Sequence, residues 1–370
     1  VRYIGNKTRL LPFLRRTMAK LGIAPGTAHD AFAGTAAVGR ALKLDGWRVA
    51  SSDLMTYSYV FQRAYVVAQR SPTFSDLFAA DPTLRHTLRS PAVRRELAAA
   101  GVGTRLEAVA HYLTRCLAPE SGFVTHHFAP HGSRLYFTEE NARRIDAIRR
   151  QLHVWHEEGA IDDDAFYLLL SSLIEASDRV ANTAGVYAAF IKQWQPNARK
   201  PLRLEPLTPI AGRRGSTAHR DDAAAVARAL GRVDLLYIDP PYNTRQYAGY
   251  YHVPELIARG WFDQVPTLSG KTGLLPRGEQ RSAWCSQRKV EDALRELVAA
   301  SGARHVLVSY NTEGLIGDRA MRSVLGDASR AGPVRCFRLT YRRYRADRDH
   351  ERRRYRGDRV QELLYYVRLR

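Results

Sequence analysis

Cysteine, lysine and long apolar runs are all scarce in this chain of 370 residues, and each shortage removes a class of protein. The three cysteines, Cys116, Cys285 and Cys336, are far apart and odd in number, so neither a disulfide framework nor a CxxC metal site is supported. No run of eighteen apolar residues is present, which excludes an ordinary membrane-spanning helix. The opening Val1-Arg2-Tyr3-Ile4-Gly5 lacks the long apolar core of a signal peptide, and the expectation is a cytoplasmic protein with no membrane partner. His126, His127 and His131 form a small cluster, but no carboxylate or cysteine completes a recognisable ligand spacing, so no metal is expected. Lysine accounts for only seven of the 57 basic residues. The resulting arginine dominance suits bidentate contacts to phosphate and guanine, although a GC-rich genome produces the same bias.

Basic charge, by contrast, is abundant. A formal charge of +20 and a pI near 10.2 point to a polyanionic partner, because Lys and Arg that neutralise phosphates release condensed counterions. With 45% hydrophobic residues the chain can bury a large core, which suggests one catalytic domain carrying an inserted or appended one.

The pattern along the chain is α/β. Residues 6–21 carry Leu10, Leu11, Phe13, Leu14 and Met18 at helical spacing and predict a first helix. Strands are expected at residues 28–32 and 47–52, with a helix between them that ends at Leu44. The first strand runs into Ala33-Gly34-Thr35-Ala36-Ala37-Val38-Gly39, and the second carries Asp53 at its tip. Such a βαβ unit binds a nucleoside at the carboxyl ends of its strands: small residues let the ligand approach the first turn, and the acid grips ribose hydroxyls. From spacing alone NAD competes with S-adenosylmethionine, but the full GxGxxG is absent, which argues against NAD. A strand, turn and helix with no ligand would look the same.

Residues 56–220 read as mostly helical, most clearly at 106–117, 139–156 and 165–191, and residues 199–220 as a Pro- and Arg-containing connection. Asp222 opens the next helix, where N-capping is one explanation of its presence. Buried strands are expected at 233–238, 304–309, 334–340 and 360–367. Between the last two lies a basic hairpin, in which Tyr341, Arg342, Arg343, Tyr344, Arg345, Arg352, Arg353, Arg354, Tyr355 and Arg356 interleave aromatics with guanidinium groups. That composition fits a clamp on phosphates or unstacked bases, although a solvated loop partly neutralised by Asp347, Asp349, Glu351 and Asp358 would also be charged.

Asp239-Pro240-Pro241-Tyr242 follows the apolar run Val233-Asp234-Leu235-Leu236-Tyr237-Ile238, so it sits where a buried strand ends. Those residue types suit a flat, polar amine. The Asp239 carboxylate accepts one amino proton and the Pro240 carbonyl the other, which leaves the nitrogen lone pair free to attack. Two fixed φ angles, at Pro240 and Pro241, present that carbonyl without reorganisation, and Tyr242 offers a π face for stacking. A strand that merely stops at a Pro-Pro turn is the plain alternative.

These four residues resemble motif IV of the DNA amino-methyltransferases. The longer run Tyr237 to Tyr247, continued by Tyr250-Tyr251-His252-Val253-Pro254-Glu255, is similar to the D12 class of adenine-N6 enzymes with the α order of motifs, in the branch that contains the NlaIII and FokI modification methylases. Lys271-Thr272-Gly273-Leu274 and Ser282-Ala283-Trp284-Cys285 strengthen the match. Arg134 to Asn141 and Ala181 to Tyr187 resemble further family segments, so the likeness runs nearly end to end.

The resemblance implies a class I S-adenosylmethionine-dependent methyltransferase with a Rossmann-like sheet and a largely helical inserted target-recognition region. The parts would be 1–58 as the N-terminal part of the catalytic domain, 59–215 as the insertion and 216–370 as the C-terminal part. Phe32 and Gly34 match the FxGxG of motif I, with Ala36 at the second Gly position. Asp53 matches the acid of motif II, and the lead Tyr3-Ile4-Gly5-Asn6-Lys7 looks like motif X. On this reading Tyr3, Lys7, Asp30, Phe32, Gly34, Asp53, Asp222 and Asp239 surround the cofactor, which leaves as S-adenosylhomocysteine. Asp239, Pro240, Pro241 and Tyr242 are catalytic, and Arg245, Lys271, Arg342, Arg343, Arg345 and Arg353 contact double-stranded DNA. A cognate restriction endonuclease acting separately is a further partner. Cys285 is read as packing, since the chemistry needs no covalent intermediate. N4-cytosine methylation uses the same constellation, RNA or protein-glutamine methylation uses related motifs, and a DNA-binding protein with an inactive methyltransferase core is a reading of a different class.

Overall fold

The computed structural model describes residues 7–276, 278–342 and 359–369. These divide into two compact units. One is built from 7–62, 212–247, 278–342 and 359–369, the other from 63–211 and 248–276.

The first unit is a seven-stranded sheet. Its strands are β1 (Thr27–Ala31), β2 (Arg48–Ser52), β3 (Thr217–His219), β4 (Arg232–Ile238), β5 (Gly302–Asn311), β6 (Arg335–Arg342) and β7 (Arg359–Arg368). The order across the sheet is β3-β2-β1-β4-β5-β7-β6. Strands β1 to β5 run parallel, and β7 is antiparallel to both β5 and β6. The chain order reverses between β1 and β4, which makes that crevice the topological switch point where open α/β sheets bind ligands.

Burial explains why the central strands form here. Ala31, Leu236, Ile238, Val306, Val308 and Val367 are all fully buried and belong to one apolar cluster, which includes Leu294, Leu297 and Val298 of the helix Val290–Ala300. Strands buried on both faces read as continuous apolar runs, which is how β4 is written. Gly302, at the start of β5, permits close approach. A Cβ there would stand 2.4 Å from the Gly231 carbonyl oxygen, so the chains entering β4 and β5 can lie side by side only with glycine.

Three expected elements differ in detail. The first helix spans Leu11–Lys20 behind a tighter turn at Thr8–Leu10, because Pro12 belongs in a helix's first turn, where its missing N–H is harmless. The helix expected over 165–191 spans Asp163–Val180. It stops because the Asn182 side chain ties the chain that follows to an earlier loop: its amide donates to the Leu135 and Ile191 carbonyls, and its oxygen accepts from the Gln195 N–H. The strand expected as buried at 334–340 is β6, last in the sheet, with Arg335, Arg338 and Thr340 exposed and Cys336, Phe337 and Leu339 half-buried. As the last strand of the sheet it has a partner on one side only, which leaves more of it open to solvent.

The second unit is helical. The helices Phe123–Phe128, Glu139–Glu157, Asp163–Val180 and His252–Arg259 pack together, and two buried polar residues hold them. Asp146 accepts from the N–H groups of Gly122, Val124 and Thr125 at 3.0, 2.8 and 2.8 Å and from the Thr125 hydroxyl at 2.6 Å, so one carboxylate satisfies the start of the Phe123–Phe128 helix. Arg149 donates to the Ile257 carbonyl at 2.8 Å and lies against the rings of Phe166 and Phe262.

Candidate active site

Four loops leave the carboxyl ends of adjacent strands and bring the sequence-selected residues of the sheet unit together. The loop after β1 is strained. Phe32, Gly34 and Ala36 have φ of 68°, 54° and 56°, all in the left-handed region. A non-glycine residue there costs about 1–2 kcal/mol, so Phe32 and Ala36 must be held. They are: Ala33 N–H donates to the Ser52 carbonyl at 2.9 Å, Ala36 N–H to the Ala33 carbonyl at 2.7 Å, and Gly34 N–H to Asp53 Oδ2 at 2.9 Å. Asp53 Oδ1 accepts from the Met55 N–H at 3.0 Å, so this carboxylate ties the β1 and β2 loops together. The Phe32 ring meets Trp284 edge-on, with centroids 4.8 Å apart.

Asp30 lies at the end of β1, fully buried, with its Oδ2 lacking any hydrogen-bond partner among the described residues. Burial, reinforced by the neighbouring charges of Asp239 and Asp53 and opposed by the Gly39 N–H, raises its carboxyl to about 8. Asp222 caps the helix Ala223–Leu230, with Oδ1 accepting from Ala224 and Ala225 N–H at 2.9 and 3.2 Å. N-capping thus accounts for this acid on its own terms.

Asp239, one residue past β4, is the centre of a buried network. Lys7 Nζ lies 3.2 Å from Asp239 Oδ1 and is also bonded to Glu362 Oε1, and only 5% of the Lys7 side chain is exposed. The Lys7 ammonium lies 2.5 Å from the Tyr242 hydroxyl, and that hydroxyl is 2.8 Å from Asp239 Oδ1 and 2.9 Å from Glu362 Oε1. Ser309 donates to the same Glu362 oxygen at 2.7 Å. Burial pushes Asp239 up to about 6; Lys7 pulls it down, Glu362 pushes it up, and the hydrogen bonds from Tyr242 and Lys7 lower it. Burial would lower Lys7, but Asp239 and Glu362 outweigh it and hold the amine above its ordinary value. Tyr242 is driven far above the usual phenol range, so it stays protonated and acts as a donor. Its ring packs edge-on against Tyr310 at 4.9 Å.

The loop after Tyr242 is clamped to the segment 282–285. Gln246 Nε2 donates to the Ser282 carbonyl at 3.1 Å, Gln246 Oε1 accepts from the Ser282 N–H at 2.9 Å, and the Cys285 thiol donates to the Arg245 carbonyl. Burial raises that thiol to about 11, which suits packing and not nucleophilic attack. Pro240 is buried and Pro241 half-buried, while the Arg245 side chain is exposed.

The remaining residues selected from sequence lie elsewhere. Lys271 is exposed in the helical unit, where its carbonyl accepts from Arg134 at 3.2 Å. Arg342 is the last residue of β6, and Tyr3, Arg343, Arg345 and Arg353 lie outside the described residues. Sequence reasoning missed Glu362 and Ser309. The signal for Glu362 was present: it is the one acid in the run Val360 to Val367, and an acid inside a buried strand is rare unless it is paired.

The chemistry of this crevice is acidic and short of cations. Asp30, Asp53 and Asp239 converge on it with Lys7 as their described counterion, and Asp30 keeps an orphan oxygen. A ligand that carries positive charge fits beside the Asp53 and Asp239 carboxylates; a pyrophosphate would face both of them and the carboxyl of Asp30, which burial keeps protonated below about 8. Among the described residues no group of three or more His, Cys, Asp or Glu is placed to hold a metal, and no helix is long and apolar enough to cross a membrane.

Known proteins resemble the chain over most of its length. The family described as D12 class N6 adenine-specific DNA methyltransferase matches residues 3–300. The chain is 33% identical to the type II methyltransferase M.NlaIII of Neisseria lactamica, over 95% of this chain and 94% of that protein. It is 32% identical to the type II methyltransferase M.FokI of Planomicrobium okeanokoites and 30% identical to the modification methylase StsI of Streptococcus sanguinis, over 99% of this chain in both cases. The chain spans about half the length of those last two relatives, 52% of each. No solved structure matches. On sequence, fold and site together, the chain belongs to the D12 class of N6 adenine-specific DNA methyltransferases.

Proposed function

We propose that the protein is a site-specific DNA methyltransferase that modifies N6 of an adenine rotated out of the duplex, and that Asp239 and the Pro240 carbonyl are the groups that grip its amine. The observation that carries this reading is the buried Lys7–Asp239–Tyr242–Glu362 network at the switch point of the sheet. Base extrusion is required because an amino group inside a stacked pair is out of reach.

Asp239 acts as an ionised acceptor, and above its value of about 6 it is free of its own proton. As positive charge develops on the attacking nitrogen, the carboxylate and the Pro240 carbonyl stabilise it without rearranging. Tyr242 supplies a ring, fixed at its hydroxyl end, against which the base stacks. Lys7, Asp30, Phe32, Gly34 and Asp53 would hold S-adenosylmethionine, together with Tyr3 and Asp222. When bound, that cofactor supplies an electrophilic methyl group on a sulfonium and leaves as S-adenosylhomocysteine. The orphan oxygen of Asp30 supports a cationic ligand beside it.

Residues 59–215 are read as the insertion that selects the target sequence. Arg245, Lys271, Arg342, Arg343, Arg345 and Arg353 are read as phosphate contacts, in keeping with the charge of +20. Modification methylases among the relatives suggest a separate cognate endonuclease in the same cytoplasm. Single-molecule sequencing of DNA from cells that express the chain tests the proposal: N6-methyladenine at one short motif is expected. N4-methylcytosine would move the assignment to the other exocyclic amine, and unmodified DNA would overturn it.

A further inference from the structure

Glu362 has no part in the chemistry described so far, yet it is 1% exposed in the middle of β7, opposite Asn311 of β5 and Leu339 of β6. A buried acid in a strand is costly unless paired. Its Oε1 is bonded to Lys7 Nζ, to the Tyr242 hydroxyl at 2.9 Å and to the Ser309 hydroxyl at 2.7 Å, so three elements of the site converge on one oxygen.

The Tyr242 hydroxyl has a single proton and two acceptors at nearly the same distance, Asp239 Oδ1 at 2.8 Å and Glu362 Oε1 at 2.9 Å. It can satisfy only one fully. If the proton stays on Asp239, that carboxylate is occupied by Tyr242 and Lys7 together, and an entering amine must displace both. If it goes to Glu362, the carboxylate opens towards the substrate.

We infer that Glu362 is a positioning residue that draws the Lys7 ammonium and the Tyr242 hydroxyl proton to itself, so that Asp239 is released to accept the proton of the substrate amine. The inference rests on the methyltransferase reading above. The charged and titratable groups that face Asp239 are Lys7 from the leading segment, Asp30 of β1, Tyr237 of β4, Tyr242 of the loop and Glu362 of β7. Glu362 raises Asp239 and raises Lys7. Removing its charge must therefore lower both.

The test compares wild type, Glu362→Gln, Glu362→Asp, Tyr242→Phe and the Glu362→Gln/Tyr242→Phe double variant in methyl transfer to duplex DNA across pH. Glu362→Gln should lose roughly ten- to a hundredfold in kcat, because Asp239 stays tied to Lys7 and Tyr242. Its acid limb in kcat/KM should move down by about one pH unit. Glu362→Asp should recover part of the rate. In the Tyr242→Phe background the Glu362→Gln penalty should shrink, since one of the groups that Glu362 manages is gone. An unmoved acid limb, or an equal penalty in both backgrounds, would overturn the inference and leave Glu362 as a fold residue only.

A second readout needs no turnover. With only seven lysines in the chain, nitrogen-15 lysine spectra can follow the Lys7 ammonium, whose titration should fall by about one pH unit in Glu362→Gln. An unchanged titration would refute the contact. Failure of wild type to methylate any DNA would sink the proposed function and the role of Glu362 in it, while the lysine titration would still decide whether Glu362 holds the Lys7 ammonium.

Discussion

Replacing Lys7 by methionine isolates the charge on which the site turns, because methionine keeps the apolar stem and removes only the ammonium. In the native protein that ammonium lies 3.2 Å from Asp239 Oδ1 and lowers the carboxyl, which nonetheless rests at about 6 against burial and the Glu362 charge. An opposite charge this close lowers a carboxyl by about one to three units, so its loss should lift Asp239 to roughly 7–9. The direction follows from the active form. On the proposed mechanism the ionised carboxylate accepts the amine proton, so activity should be lost as pH falls through the carboxyl's value, and a raised value should move that loss to higher pH. At pH 7 the variant should therefore be depressed about two- to a hundredfold in kcat/KM and should recover on the alkaline side. The assay is labelled methyl transfer at DNA concentrations well below KM, from about pH 5.5 to 9.5. The expected displacement is opposite in sign to that of Glu362→Gln, so the two variants check each other. An acid limb at the wild-type position, with rate lost equally at every pH, would refute the electrostatic argument and leave Lys7 a purely steric or cofactor-holding role.

Two further predictions concern other parts of the chain. Asp146→Ala removes the one carboxylate that satisfies three backbone N–H groups and a hydroxyl at the start of the Phe123–Phe128 helix. It should cost about 3–5 kcal/mol in urea unfolding, and a loss below about 1 kcal/mol would contradict its role as the pin of the helical unit. Arg245→Ala and Lys271→Ala, both at exposed side chains, should each reduce the slope of log affinity against log salt by about one and leave kcat at saturating DNA unchanged. A variant with the wild-type salt slope would remove that residue from the DNA contacts.

The parallel sheet was legible in part because β4 and β5 carry short apolar runs at 235–238 and 306–308, while β1 and β2, which contain His29, Asp30, Ser51 and Ser52, were legible from the βαβ spacing around Gly34. Asp53 and Asp239 could be placed at strand tips for those reasons. Boundaries were less legible where a side chain, not a propensity, ends an element. The helix that stops at Val180 does so because Asn182 takes over backbone groups of Leu135, Ile191 and Gln195, and periodicity has no term for such a clamp. β6 shows the reverse error: residues 334–340 read as a buried strand, but the strand lies at the end of the sheet order, which only topology reveals. The site's short-range parts, Asp239 to Tyr242 and Phe32 to Ala36, were visible as motifs. The pairing of Lys7 with Glu362 was not, because 355 residues separate them and only the reversed β7 brings the acid beside β5. The left-handed backbone of Ala36, at 56°, is consistent with a turn for which glycine is the easier residue.

Mass spectrometry of nucleosides from duplex DNA incubated with the protein and methyl-labelled S-adenosylmethionine tests the central claim most directly, with wild type beside Asp239→Ala. Labelled N6-methyladenine should appear with wild type and be lost with Asp239→Ala, while cofactor binding by the variant persists. Substantial labelled product from Asp239→Ala would contradict the account.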